Sequence, residues 1–87
     1  MSTGLNFLFE HLTKIEQELT RQQTTNQINK TKLIALENEM YNIIFATTLP
    51  PEERAVYQIF ASTLPSISLD NLQTKLNEVK QLKARLK

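Results

Sequence analysis

The sequence predicts an all-α protein: a long N-terminal helix forming a parallel homo-oligomeric coiled coil, with two shorter helices folded back on its C-terminal half. Three observations carry this expectation. First, the stretch Leu5–Ile43 numbered in sevens reads Leu5, Leu12, Leu19, Asn26, Leu33 and Met40 at the first heptad position. Its fourth position reads Leu8, Ile15, Gln22, Asn29, Leu36 and Ile43. Nine of these twelve seam positions are apolar, against six of the other twenty-seven residues, which is the stripe a coiled coil buries. Second, the chain has a single glycine, Gly4, and so little material for tight hairpin turns between strands. Third, Leu69, Leu72, Leu76, Val79, Leu82 and Leu86 form one helical stripe near the C-terminus.

Residues 1–4 are expected to be a short disordered lead, with Thr3 placed to cap the first helix. The first helix is expected over 5–48. Its seam is broken only by three consecutive amides, Gln22, Asn26 and Asn29. In a parallel, in-register assembly each amide faces its own copy and pairs. In a slipped arrangement it is left unpaired, at about 1–3 kcal/mol each. Polar asparagine layers of this kind resemble those of trimeric fibre stalks of viruses and bacterial adhesins. Leucine at the first position with Ile15 and Ile43 at the fourth favours three or four strands over two.

A hairpin is the alternative, because Thr20–Thr31 (TRQQTTNQINKT) is rich in poor helix formers. Against it, no proline or glycine falls between Leu5 and Leu49, and the apolar registers on either side share one heptad frame. Independent helices share a frame about one time in seven. A continuous helix over Leu5–Ile43 would be about 58 Å long.

Thr48-Leu49-Pro50-Pro51 ends this helix, since proline cannot continue it. Residues 51–87 are expected to form a helical hairpin, about 51–64 and 69–87, in one domain with the long helix. Pro51 suits a first turn, with Glu52 and Glu53 at the positive end of the helix. Ile34, Tyr41, Ile44 and Phe45 lie off the seam and need this cover. Two heptapeptides repeat, IFATTLP at Ile44–Pro50 and IFASTLP at Ile59–Pro65; both read as helix ends rather than as a duplicated module. Ser68 is a candidate N-cap for the last helix, with Asp70 in the following turn. The segment LPPEERAVYQIF (Leu49–Phe60) resembles the helix that opens the DNA-binding region of bacterial sigma factors. That resemblance implies a glycine-bearing turn and a polar recognition helix next; here Ser62–Ser66 and a leucine-striped helix follow instead.

Composition narrows the function. The absence of cysteine excludes disulfides and thiolate metal sites, and one histidine, His11, cannot build an imidazole cluster within a chain. His11 flanks the seam and reads as a surface residue. No catalytic, metal-binding or cofactor-binding set is expected, and the chain reads as a non-enzyme. A net charge of +1 gives no general pull toward polyanions. Residues 70–87 alone carry five basic and two acidic groups. Lys75, Lys80, Lys83, Arg85 and Lys87 are therefore the candidate contact for nucleic acid or another anion, though a solvated helix face is the plainer reading. No membrane span and no secretory signal are expected, which places the protein in the cytoplasm, or the host cytoplasm if viral. The expected function is an oligomeric coiled-coil scaffold or adaptor, of the sort small viral or phage accessory proteins provide. It would bind itself, as a trimer or tetramer, and one further protein. The alternatives are a small helical inhibitor of one protein target and a nucleic-acid-binding regulator using the basic helix.

Overall fold

The chain reverses direction at Asn26. The computed structural model describes residues 3–86; helix α1 spans Thr3–Thr25 and α2 spans Lys30–Ala46. The continuous helix expected over 5–48 is thus two helices, and the three amides expected to plug a seam build the turn between them. Asn26 sits at φ 57°, the left-handed conformation that asparagine tolerates better than most side chains. The Gln27 amide donates to the Gln22 carbonyl at 3.1 Å and the Asn26 amide to the Gln23 carbonyl at 3.2 Å. These two bonds are a Schellman ending, which satisfies carbonyls that the end of α1 would otherwise leave open. Asn29 then caps α2, its side chain accepting from the Lys32 amide at 3.1 Å. Gln22 is buried and joins the two helices. Its Nε2 donates to Glu18 and its Oε1 accepts from the Asn29 amide. The threonines of the last turns of α1 donate back to carbonyls four residues earlier, which satisfies their hydroxyls within the helix.

Helix α3 spans Pro51–Ser62, with Glu52 and Glu53 in its first turn, and a short 3-10 turn covers Leu64–Ser66. Helix α4 spans Leu72–Arg85. It starts later than the expected residue 69 because Asn71, not Ser68, stands at its N-cap position. The Asn71 side chain accepts from the Ser68 amide at 2.8 Å, closing a turn that leaves Leu69 45% exposed. Thr3 and Gly4 belong to α1 rather than to a disordered lead. Met1, Ser2, Lys87 and the side chain expected to cap at Thr3 lie outside the described residues.

Every described helix runs antiparallel to its neighbours. Lys14 meets Glu39 and Glu18 meets Lys32 across α1 and α2, Glu16 meets Lys83 across α1 and α4, and Glu53 meets Arg85 across α3 and α4. Helix α1 packs on α2 and α4, and α2 packs on α3 and the 3-10 turn. The result is an up-down-up-down helical arrangement around one core. The all-α expectation holds for the described residues. The seam now closes inside one chain: Leu8, Leu12, Ile15, Leu19, Leu33, Leu36 and Met40 are all buried, against Tyr57, Leu64, Leu72, Leu76 and Val79 from the C-terminal half. Leu5 and Ile43 are half-buried, and Ile44 takes the core position next to Ile43. The longest dimension is 37 Å and the radius of gyration 12.4 Å. A single-chain domain of this length is expected near ~12 Å, whereas a stalk would need the ~58 Å helix.

Candidate functional site

Two helices that cross only through their core faces leave a groove outside, and its depth depends on side-chain size along the walls. Three clefts follow one another along the outer junction of α1 and α2 and together form a groove from Gly4 and Thr47 at the chain-end side to Arg21 and Lys32 at the turn, about 26 Å at 1.5 Å per residue, crossed by the Lys14–Glu39 ion pair. The α2 wall is low at Ala35, Asn42 and Ala46, while Lys32 and Glu39 rise between and beyond them and reach across to α1. At the chain-end side, Phe7 is 54% exposed beside half-buried Ile43, over a cleft of about 340 Å³. Gly4 lets the helices approach there; a Cβ on it would stand 2.8 Å from the Thr47 hydroxyl oxygen. At the turn side a cleft of about 370 Å³ has Leu36 and Ala35 among its walls and Lys14, Arg21 and Lys32 around it.

The charges at the turn side are arranged in depth. Glu18 is 16% exposed, while Arg21 and Lys32, which pair with it at 2.8 and 3.8 Å, are 51% and 49% exposed. Burial raises the Glu18 pKa, but hydrogen bonds from Arg21 and Gln22 and the charges of Arg21 and Lys32 outweigh it and hold the carboxyl below its ordinary range. Lys14 pairs with Glu39 at 3.1 Å, both at the surface.

His11 lies in the middle of this interface. It was expected at the surface and is buried, because the α2 backbone accepts a hydrogen bond from its ring N–H. Nε2 is 3.0 Å from the Leu36 carbonyl oxygen, which can only accept, so Nε2 carries the hydrogen. Nδ1 is 3.3 Å from the Glu39 carboxylate, which Lys14 holds there. Burial dominates and lowers the His11 pKa. The Leu36 hydrogen bond and Glu39 oppose it, but the neutral ring already makes the first, and Glu39 is half in water and shared with Lys14.

The basic face of α4 is largely paired. Lys75 meets Glu78 at 3.1 Å, Arg85 meets Glu53 at 2.6 Å, and Lys83 meets Glu16 at 2.9 Å while lying 5.1 Å from the Phe9 ring centre. Lys80 is exposed beside Lys83 at a small cleft with Phe9 and Glu16. Lys87 lies outside the described residues. The candidate basic residues therefore spread over contacts to α1, α3 and α4 itself rather than converging on one site. Seven of the seam residues, Leu8, Leu12, Ile15, Leu19, Leu33, Leu36 and Met40, meet in the core, Leu5 and Ile43 lie at its edge, Gln22 is buried at the turn, and Asn26 and Asn29 are exposed there. The groove went unread in the sequence because it needs α1 and α2 side by side; a signal was available in Ala35, Asn42 and Ala46, short side chains spaced along one face of α2.

Among the described residues, Tyr57 Oη and Arg54 Nε are buried with no partner in hydrogen-bond geometry, although the Arg85 guanidinium lies close enough to Tyr57 to act on its titration. Among the described residues no helix is long and apolar enough to cross a membrane, and no three His, Asp or Glu side chains gather as a metal site would require. No protein-family model, no curated protein and no solved structure matches this chain.

Proposed function

We propose that this protein is a non-enzymatic helical adaptor, acting in the cytoplasm, which binds a protein partner through apolar side chains held outside its core. The observation that carries the reading is the exposure of Phe7 (54%), Phe45 (67%) and Ile59 (65%) on a chain whose core is already closed. Large apolar side chains kept in water by an otherwise satisfied fold are what a docking surface uses. An adaptor and an inhibitor share this physics and differ only in what the partner does once bound. The self-assembling form of the reading, a parallel trimeric or tetrameric coiled coil, would require the Asn26 turn to straighten. It would also have to bury the same seven seam side chains against copies of the chain, each worth about 1.5–3 kcal/mol. The nucleic-acid reading gains no support from α4, where Lys75, Lys83 and Arg85 face carboxylates.

The test is site-specific photo-cross-linking from Phe7, Phe45 and Ile59, one at a time, in the cells that make the protein. A discrete adduct from at least one position is expected, and an adduct of twice the chain mass identifies the partner as a second copy. No adduct from any of the three would overturn the reading.

A further inference from the structure

We propose that the outer groove between α1 and α2 docks one amphipathic helix of a partner protein, its apolar stripe over Phe7 and Ile43 and its acidic end over Lys14, Arg21 and Lys32. The proposal rests on the protein-binding reading above and names its surface and the chemistry of its partner.

The groove has the length and section of a helix site. About 26 Å holds some seventeen residues of helix, and the short side chains Ala35, Asn42 and Ala46 let a third helix settle close to α2. The apolar contact lies at one end only. There Phe7 offers the large exposed ring that an incoming stripe would cover. Charge complementarity fixes the other end. Arg21 and Lys32 are about half exposed, whereas Glu18, which neutralises both, is recessed at 16%; Lys14 is 58% exposed and paired with Glu39, itself 51% exposed, so the three cations outnumber the two carboxylates of this end by one. Glu18 also accepts from Gln22. A guanidinium has five N–H donors and Arg21 directs only two to Glu18, while each lysine has three. Incoming carboxylates can therefore bind these cations without breaking the pairs that hold the turn. A polyanion fits less well, because Glu10 and Glu39 also line the groove. A membrane surface fits less well too, because the exposed aromatic and the cations stand at opposite ends rather than side by side.

The other exposed apolar residues of α2 are elsewhere. Ile34 and Phe45 are eleven residues apart, which returns to one face of a helix, and neither lines the groove. Ile34 is therefore the internal control.

The experiment is a display selection on the full chain, using a library of eighteen-residue helical peptides with a fixed leucine stripe and random flanking residues. Selection on the parent chain should enrich acidic residues at one peptide end. Selection on Lys14→Glu/Arg21→Glu/Lys32→Glu should enrich basic residues at that same end. Against a selected peptide, Phe7→Ser should weaken binding at least tenfold and Ile34→Ser, 41% exposed and off the groove, should leave it unchanged. Should the triple variant fail to melt cooperatively, Lys14→Glu alone and a salt series on the parent chain read the same preference. No enrichment, enrichment without a charge preference, a preference that ignores the reversal, or loss with Ile34→Ser but not Phe7→Ser each overturns the groove. Cross-links from Phe45 or Ile59 with none from Phe7 would also reject the groove while leaving the protein-binding reading standing.

Discussion

Replacing Asn26 separates a turn from a seam by the sign of the effect. At φ 57° a leucine brings its Cβ too close to the following carbonyl, at about 1–2 kcal/mol, with no local hydrogen bond to compensate. Glycine has no such penalty, so Asn26→Gly should lie between no change and a gain of about 1 kcal/mol. Asn29→Ala removes the acceptor for the Lys32 amide and should cost about 1 kcal/mol. For a domain of this size 1 kcal/mol moves the melting temperature by roughly 4–8 °C. Asn26→Leu should thus melt about 4–16 °C lower than the parent, Asn29→Ala about 4–8 °C lower, and Asn26→Gly no lower. The two sites share the Gln22 network, so the Asn26→Leu/Asn29→Ala pair need not equal the sum. A parallel coiled coil predicts the opposite, since leucine at Asn26 would bury apolar surface and raise the melting point. Circular dichroism melts with light scattering on the same samples decide between them. An Asn26→Leu chain that melts above the parent, or that forms a larger species, would refute the turn chemistry.

Four further outcomes follow from the packing. His11 is the only histidine, so the window between neutral pH and about pH 5 isolates it among the side chains. Burial holds the folded ring below its ordinary value of 6.5, so the unfolded chain takes up a proton that the folded chain resists. The His11 contribution is therefore complete above pH 6.5 and is lost as the pH falls through the lower folded value; denaturant melts should show stability declining there, and His11→Gln should flatten the slope. Tyr57→Phe removes a buried hydroxyl with no partner in hydrogen-bond geometry, so it should cost less than about 0.5 kcal/mol or stabilise, whereas a loss above about 1 kcal/mol would mean that the neighbouring Arg85 bonds to the Oη. Leu12→Ala should cost about 2–5 kcal/mol in urea melts, because Leu12 is fully buried in the core; a surface-like cost would place the core elsewhere. Gly4→Ala should lower the melting point despite the better helix propensity of alanine, because the new methyl meets Thr47, whose hydroxyl is pinned to the Ile43 carbonyl at 2.6 Å; a rise would show that Thr47 gives way.

The helical character of the chain was legible because local signals agree. Pro50 and Pro51 stop one helix and start the next, and Leu72, Leu76, Val79 and Leu82 repeat at the spacing of one buried face. The turn at Asn26 was not legible from the seam, because a heptad stripe says which face is buried and not against what. Leu8, Leu12, Ile15 and Leu19 need an apolar partner stripe, and Leu33, Leu36 and Met40 supply one equally well from the same chain. The shared frame of the two halves carries no weight once they lie antiparallel. The local chemistry did hold the answer: an asparagine able to adopt positive φ, followed three residues later by an N-capping asparagine, spells a helix end and a helix start. His11 was hidden for a different reason. Its burial depends on the Leu36 carbonyl from another helix, which no spacing within α1 can announce.

The repeated heptapeptide shows how far exposure lies beyond local sequence. In the first copy Ile44 is buried and Phe45 is 67% exposed; in the second Ile59 is 65% exposed and Phe60 is buried. The same Ile-Phe pair therefore straddles the edge of the core in both helices, with the opposite member inside. Adjacent residues on a helix differ by about 100°, so one of the two must point away from the core wherever the other points in. Which one is set by the packing of neighbouring helices, not by the pair. The first Ile-Phe pair ends α2, where Thr47 closes against Gly4 of α1 and brings Ile44 inward. The second lies one turn before the 3-10 segment, where Phe60, Ala61 and Leu64 together meet the core and rotate Ile59 to the α3–α4 side, beside Val56 and Leu82. Phe45 and Ile59 are thus left outside by the geometry of two helix ends. Phe7 differs, because it stands along a groove with short side chains opposite and cations farther on. That contrast ranks Phe7 above the two more exposed residues as the first position to test for a partner.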